Sequence, residues 1–182
     1  VLLEDYDIVA ELTSSERVGY HKYTFNKKDN PHLLIDLSFK MNWDKPTDNY
    51  LKVVNDSTIV GYRFSTGWAN DQKIYFAIKS NTKFTKVDLY NDSTAVTGYQ
   101  IAKGLGMKAI LTIDPTKAVE LKVGISPVST VNAIENIATE IPVKLEEEEP
   151  PKKKEVIAKV ENEEEKDANL IIGRDFSGEV TP

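Results

Sequence analysis

The 182-residue sequence predicts an all-β fold, an antiparallel sandwich with one C-terminal helix and a charged, low-complexity tail. Three observations carry this. Apolar residues alternate with polar ones over short segments, asparagine-rich turn signals separate those segments, and helical spacing occurs once, near residue 130. Alternation places successive side chains on opposite faces of a strand, so one face can be buried and the other left in water.

The alternation is clearest in three rows. Val119, Leu121, Val123 and Ile125 face one way, and Glu120, Lys122, Gly124 and Ser126 the other. Ile74, Phe76 and Ile78 make a second row, and Met107, Ala109, Leu111 and Ile113 a third. Further strands are expected at 7–13, 16–25, 33–38, 50–54, 58–64 and 84–90, about nine in all. Asn55-Asp56-Ser57 and Asn91-Asp92-Ser93 suit hairpin turns, because Asn and Asp tolerate left-handed backbone and bond their own main chain. Asn26–Pro31 is expected to close the second and third strands, and Gly104-Leu105-Gly106 to turn into the Met107 strand. Both Asn-Asp-Ser-Thr strings also match the N-glycosylation acceptor pattern, relevant only in a eukaryotic secretory context.

One helix is expected after Ser129, whose hydroxyl can cap it. Val131, Ile134, Ile137, Ala138 and Ile141 would share its apolar face, and Pro142 would end it. The chain then changes character. Residues 1–142 form the expected sandwich, and 143–182 a charged linker or tail whose glutamate and lysine blocks flank Pro150-Pro151. Residues 1–143 hold 16 basic and 17 acidic side chains, so most of the net charge of −6 belongs to the tail.

Composition excludes several chemistries. With no cysteine there is no disulfide, thiolate metal site or cysteine nucleophile. No apolar run is long enough to span a membrane, and residues 1–12 lack the pattern of a signal peptide. No basic patch with interleaved aromatics is present, which argues against nucleic acid as a partner.

Candidate site residues are few. Trp68, with Asn70 and Asp71, lies between two expected strands. An indole can stack on the C–H face of a sugar while Asn and Asp bond its hydroxyls; alternatively Trp68 plugs the end of the sandwich or packs on another domain. Arg17, His21 and Asp36 are assigned structural support. For Arg17 and Asp36 an ion pair fixing strand register competes with support of a cleft. His21 is expected as a hydrogen-bonded strand residue, and His32 as a loop residue after Pro31. Glu11 and Glu16 could approach each other at neighbouring strand ends, but surface pairing with Arg17 is the simpler expectation. No catalytic residue is assigned, because no recognisable carboxyl pair occurs, and no metal site, because neither histidine has partners at ligand spacing.

An ordered set of blocks carries a family resemblance. It runs from Ala10-Glu11-Leu12-Thr13-Ser14-Ser15-Glu16-Arg17-Val18-Gly19 through His21-Lys22-Tyr23-Thr24-Phe25 and Leu33-Leu34-Ile35-Asp36-Leu37. It continues through Ile59-Val60-Gly61-Tyr62, Gly67-Trp68-Ala69 and Ile74-Tyr75-Phe76-Ala77 to Val123-Gly124-Ile125-Ser126-Pro127-Val128-Ser129, with Ala133, Asn136 and Glu140 beyond. Over roughly residues 5–142 the chain resembles the N-terminal β-sandwich of glycoside hydrolase family 92 exo-α-mannosidases. The resemblance implies a non-catalytic module that packs on a catalytic α/α barrel absent from this chain and helps shape the sugar cleft. It also implies α-linked mannose glycans as ligands, calcium in the parent catalytic domain rather than here, and a bacterial setting with secreted, periplasmic or cell-surface location. The family's sandwich begins earlier, with glycine- and serine-rich loops, so this chain resembles part of it. A stand-alone carbohydrate-binding module and a structural or adhesive surface domain are the alternatives, since sandwiches host all three functions.

Overall fold

Strand pairing sorts the expected segments into two sheets. The computed structural model describes residues 1–27, 31–40, 42–98, 100–114 and 118–142. The expectations for the 143–182 tail and for turn residues 28–30 lie outside the described residues. Residues Val1–Lys144 make one compact unit.

The strands are β1 (Leu2–Leu3), β2 (Ile8–Ser14), β3 (Val18–Phe25), β4 (His32–Asp36), β5 (Lys45–Asn55), β6 (Thr58–Thr66), β7 (Gln72–Ser80), β8 (Phe84–Asn91), β9 (Thr94–Val96), β10 (Ile101–Lys103), β11 (Met107–Ile113) and β12 (Val119–Ser126). Helix α1 covers Thr130–Glu140. The larger sheet has the order β1-β2-β3-β12-β7-β6-β5-β10, the smaller β4-β11-β8-β9, and every described pairing is antiparallel. The result is the expected antiparallel sandwich with one helix. Three strands beyond the expected nine, β1, β9 and β10, have two or three residues each and are too short to show a period.

Strands β3 and β4, on either side of the Asn26–Pro31 segment, belong to different sheets. His32 opens strand β4 instead of lying in the loop. The two Asn-Asp-Ser turns form as expected. Asn55 Oδ1 accepts from the Ser57 amide at 3.0 Å, and Asp92 takes a φ of 54°.

The inner faces of the sheets bury Leu51, Ile59, Phe76, Ile78, Val119 and Leu121 against Phe84, Leu89 and the β11 row. Met107, Ala109, Leu111 and Ile113 are all buried, as their alternation predicts. The β7 and β12 rows are cut short: Ile74 and Ile125 are exposed, because the four-stranded sheet does not cover the ends of those strands.

A second core lies on the outer face of the larger sheet, beneath α1. Val18, Val60 and Ala77 meet Ala133 and Ile137 there. The helix approaches so closely that a Cβ on Gly124 would overlap the Ala133 carbonyl oxygen and sit 2.7 Å from Ile137 Cγ1. Ser129 caps α1, its Oγ accepting from the Asn132 amide at 3.0 Å, a bond worth about 1 kcal/mol. The buried side of α1 is Ala133, Asn136 and Ile137, flanked by Ile134 and Ile141. Val131 and Ala138, expected on that side, are exposed. Asn136 takes a buried place because its Nδ2 donates to the Ile125 carbonyl at 2.9 Å.

Candidate loop site at one end of the sandwich

Strand β6 ends at Thr66 and β7 begins at Gln72, so residues 67–71 form the loop that carries Trp68. Ser65 Oγ donates to Gln72 Oε1 at 3.1 Å across its base, and the Gly67 amide donates to the Ala69 carbonyl at 3.0 Å within it. Trp68 is 88% exposed, and Asn70 and Asp71 are exposed beside it. Trp68 therefore does not plug the end of the sandwich. Asp71 pairs with Lys73 at 3.0 Å.

A second loop, 37–44, lies against the first. A Cβ on Gly67 would come within 3.0 Å of Asp44 Cα and 3.4 Å of Trp43 Cδ1. Two cross-strand partners, Asn49 of β5 and Arg63 of β6, hold this loop. Arg63 Nε donates to the Leu37 carbonyl at 3.2 Å, and its terminal nitrogen donates to the Phe39 carbonyl at 3.0 Å and pairs with Asp44. The Arg63 guanidinium holds the Asp44 carboxyl below the usual carboxylate range. Asn49 is fully buried; its Nδ2 donates to Leu37 O at 3.2 Å and to Leu105 O at 2.9 Å. The 104–106 turn, expected from its two glycines, is thereby drawn to the same end. Asn49 Oδ1 is the one buried side-chain polar atom without a partner among the described residues.

Two exposed indoles, Trp68 and Trp43 (61% exposed), thus stand on adjoining loops. Exposed aromatic rings offer flat apolar surfaces, and a sugar ring presents a matching one. Trp43, Arg63 and Asn49 were not among the sequence candidates. Trp43 had one legible signal, an aromatic in a polar loop between strands. The other two look like ordinary strand residues until the register sets them opposite each other.

The support residues lie elsewhere. Arg17 does not fix strand register through a strand partner. Its Nε donates to Glu140 Oε1 at 2.7 Å and its amide to Glu140 Oε2 at 2.9 Å, while Ser15 Oγ donates to Glu140 Oε2 at 2.6 Å. The turn between β2 and β3 is thus tied to the end of α1. These bonds, led by that from Ser15, hold the Glu140 carboxyl at about 2. Glu11 pairs with Lys22 at 3.1 Å, not with Arg17. His21 Nδ1 lies 2.9 Å from the Tyr23 hydroxyl, and burial lowers the imidazole pKa. Asp36 Oδ1 accepts from the Ser38 amide at 2.8 Å and its hydroxyl at 2.6 Å, closing the start of the 37–44 loop. Asp36 also pairs at 3.7 Å with Lys108, its cross-strand partner on β11, which is the register pair expected of it; Arg17 and His21 do not touch the loop end in any bond described. Among the described residues no three His, Asp or Glu side chains gather as metal ligands, and no helix is long and apolar enough to cross a membrane.

Comparison with known proteins places this architecture. A family model described as the glycosyl hydrolase family 92 N-terminal domain matches residues 1–126. A family GH92 alpha-mannosidase from Bacteroides thetaiotaomicron, solved in complex with mannoimidazole, is similar at 31% identity with a TM-score of 0.69, over 74% of this chain and 19% of that one. A gh92 family glycosyl hydrolase follows at 25% identity and a TM-score of 0.67, over 75% and 18% of the respective chains. A Family GH92 inverting mannosidase from Bacteroides thetaiotaomicron VPI-5482 shares the fold at 15% identity and a TM-score of 0.66, over 78% and 19%. No curated protein matches. This chain spans about a fifth of the length of these solved chains. With the family model covering more than half its length, the chain belongs to the glycosyl hydrolase family 92 N-terminal domains.

Proposed function

We propose that this chain is the non-catalytic sandwich module of an α-mannosidase-like glycoside hydrolase. In this reading residues 1–142 pack on a catalytic α/α barrel carried elsewhere in the parent polypeptide, and residues 143–182 act as a charged linker. The loop end helps shape the cleft for an α-linked mannose glycan, with Trp68 stacking on a sugar and Asn70 and Asp71 bonding its hydroxyls. Calcium belongs to the parent's catalytic domain, and the parent acts outside the cytoplasm, in the periplasm or at the cell surface.

The observation that supports a role for this end is the pair of exposed indoles on adjoining loops. Arg63 and Asn49 spend five polar contacts on holding loop 37–44 and the 104–106 turn, which a merely decorative loop would not require. The test is incubation of the 182-residue chain with α-linked mannosides. No release of mannose is expected; release would overturn the non-catalytic reading. The strong exposure of Trp68 also favours a second reading, a carbohydrate-binding module that works by itself. That reading requires heat on titrating mannan into the chain, lost in Trp68→Ala.

A further inference from the structure

The outer face of the larger sheet is covered only in part. Register places Val18, Gly124, Ala77 and Val60 in one cross-strand row, and α1 lies on it. The next row on the same face runs Ser126, Tyr75, Tyr62, Tyr50 and Lys103 across β12, β7, β6, β5 and β10. Phe64 joins from the row beyond, opposite Lys73 and Asp48. All four rings are half-buried by one another and by the sheet, with no described element packed over them.

Apolar side chains lie beside both ends of the aromatic row. Val128 (70% exposed) and Val131 (63%) flank the start of α1, next to Ser126, and Ile101 (49%) shares this face at β10. An apolar band therefore crosses β7, β6 and β5 from the start of α1, with Lys103 and, one row away, Ile101 at the β10 edge. Its rim carries Lys52, Lys73 and Lys103; Lys73 pairs with Asp71 at 3.0 Å, and Asp48 is engaged by Lys103 at 3.0 Å and by the Tyr62 hydroxyl at 3.0 Å. Contiguous apolar bands rimmed by charge mark interaction surfaces, and tyrosine is enriched at their centres.

Three occupants can be weighed. A sugar needs an open ring face. Tyr62 instead has two near-parallel ring neighbours, Phe64 at 4.2 Å and Tyr50 at 5.2 Å, and Tyr75 edge-on at 5.8 Å. The band thus presents ring edges and hydroxyls, which suit the packing of protein side chains better than a pyranose. A second copy of this chain would bring Lys52 to a rim whose carboxylates, Asp48 and Asp71, are already engaged by Lys103 and Lys73, so it offers Lys52 no open partner. The third occupant is the remainder of a parent enzyme, the similar solved chains being about four times as long as this one. We infer that the Tyr50–Tyr62–Phe64–Tyr75 face is where the sandwich docks on the rest of its own polypeptide, onto a surface with an apolar centre and a carboxylate placed for Lys52.

This assignment rests on the packing role under Proposed function and adds which face performs it. Lysine acetylation by acetic anhydride, read by mass spectrometry, tests both separately in the 182-residue chain and in the full-length parent polypeptide. Lys52, Lys73 and Lys103 should label in the short chain and lose labelling in the parent, while Lys83 and Lys86, at the smaller sheet, label equally in both. Loss of labelling at Lys83 and Lys86 instead would overturn the assigned face and leave the packing role standing. Unchanged labelling at all five would overturn both. Sedimentation of the short chain should give a monomer; a dimer abolished by Tyr62→Arg would assign the face to a second copy and overturn the inference.

Discussion

Two halves of one sheet face are built from the same strands yet carry opposite side-chain choices. Beneath α1, β6 and β7 offer Val60 and Ala77, and β12 offers Gly124. Two residues along the same strands, they offer Tyr62 and Tyr75. Small side chains occur where a helix from this chain must come close. Large aromatic ones occur where nothing described in this chain covers the sheet. The residue sizes on a sheet face thus record the distance of whatever packs on it.

The largest disturbance of this contrast should come from the covered half. Gly124→Val places a Cβ where the Ala133 carbonyl and Ile137 already stand. It should cost about 3 kcal/mol, or prevent α1 from docking, as read by urea denaturation followed by circular dichroism. In the uncovered half, Tyr62→Ala removes a half-buried ring with three aromatic neighbours. It should cost only about 1 kcal/mol in this chain by the same measurement. A cost as large as that of Gly124→Val would mean that the aromatic face is part of the chain's own core.

The smallest effect at neutral pH is expected from Glu140→Gln, because the Arg17–Glu140 pair is partly open to solvent. Its pH dependence is diagnostic. The Glu140 carboxyl is lowered from 4.5 to about 2 by the Ser15 and Arg17 bonds, so its contribution is fully present above about 4.5 and is lost as pH falls towards 2. Thermal melts should show the gap between the wild type and the variant closing over that window. A constant gap would mean that the clamp holds α1 by shape rather than by charge.

Much of the fold was legible in the residues. Alternation located β11, β12 and the middle of β7, because a buried face forces period two. The cap at Ser129 and the stop at Pro142 bounded α1 to within a residue at its start and two at its end. The helix face was misread at Val131 and Ala138, because Gly124 sets the docking angle from another strand and admits Ala133 and Asn136 instead. At the loop end, Trp68 was legible as a loop aromatic. Its neighbours were not, since Asn49 and Arg63 gain their role from cross-strand register and from loop carbonyls remote in sequence. Arg17 was legible as an ion-pair former, but its partner lies 123 residues away on α1.

The sequence alone determined nine of the twelve described strands, the bounds of the described helix to within two residues, and that no cysteine chemistry is available. Each follows from local spacing, capping and composition. Only the tertiary structure decided which strands share a sheet, that β3 and β4 part company, that loops 37–44 and 67–71 meet, and that an aromatic band remains uncovered. Those outcomes depend on pairings between residues far apart along the chain, which no local pattern encodes.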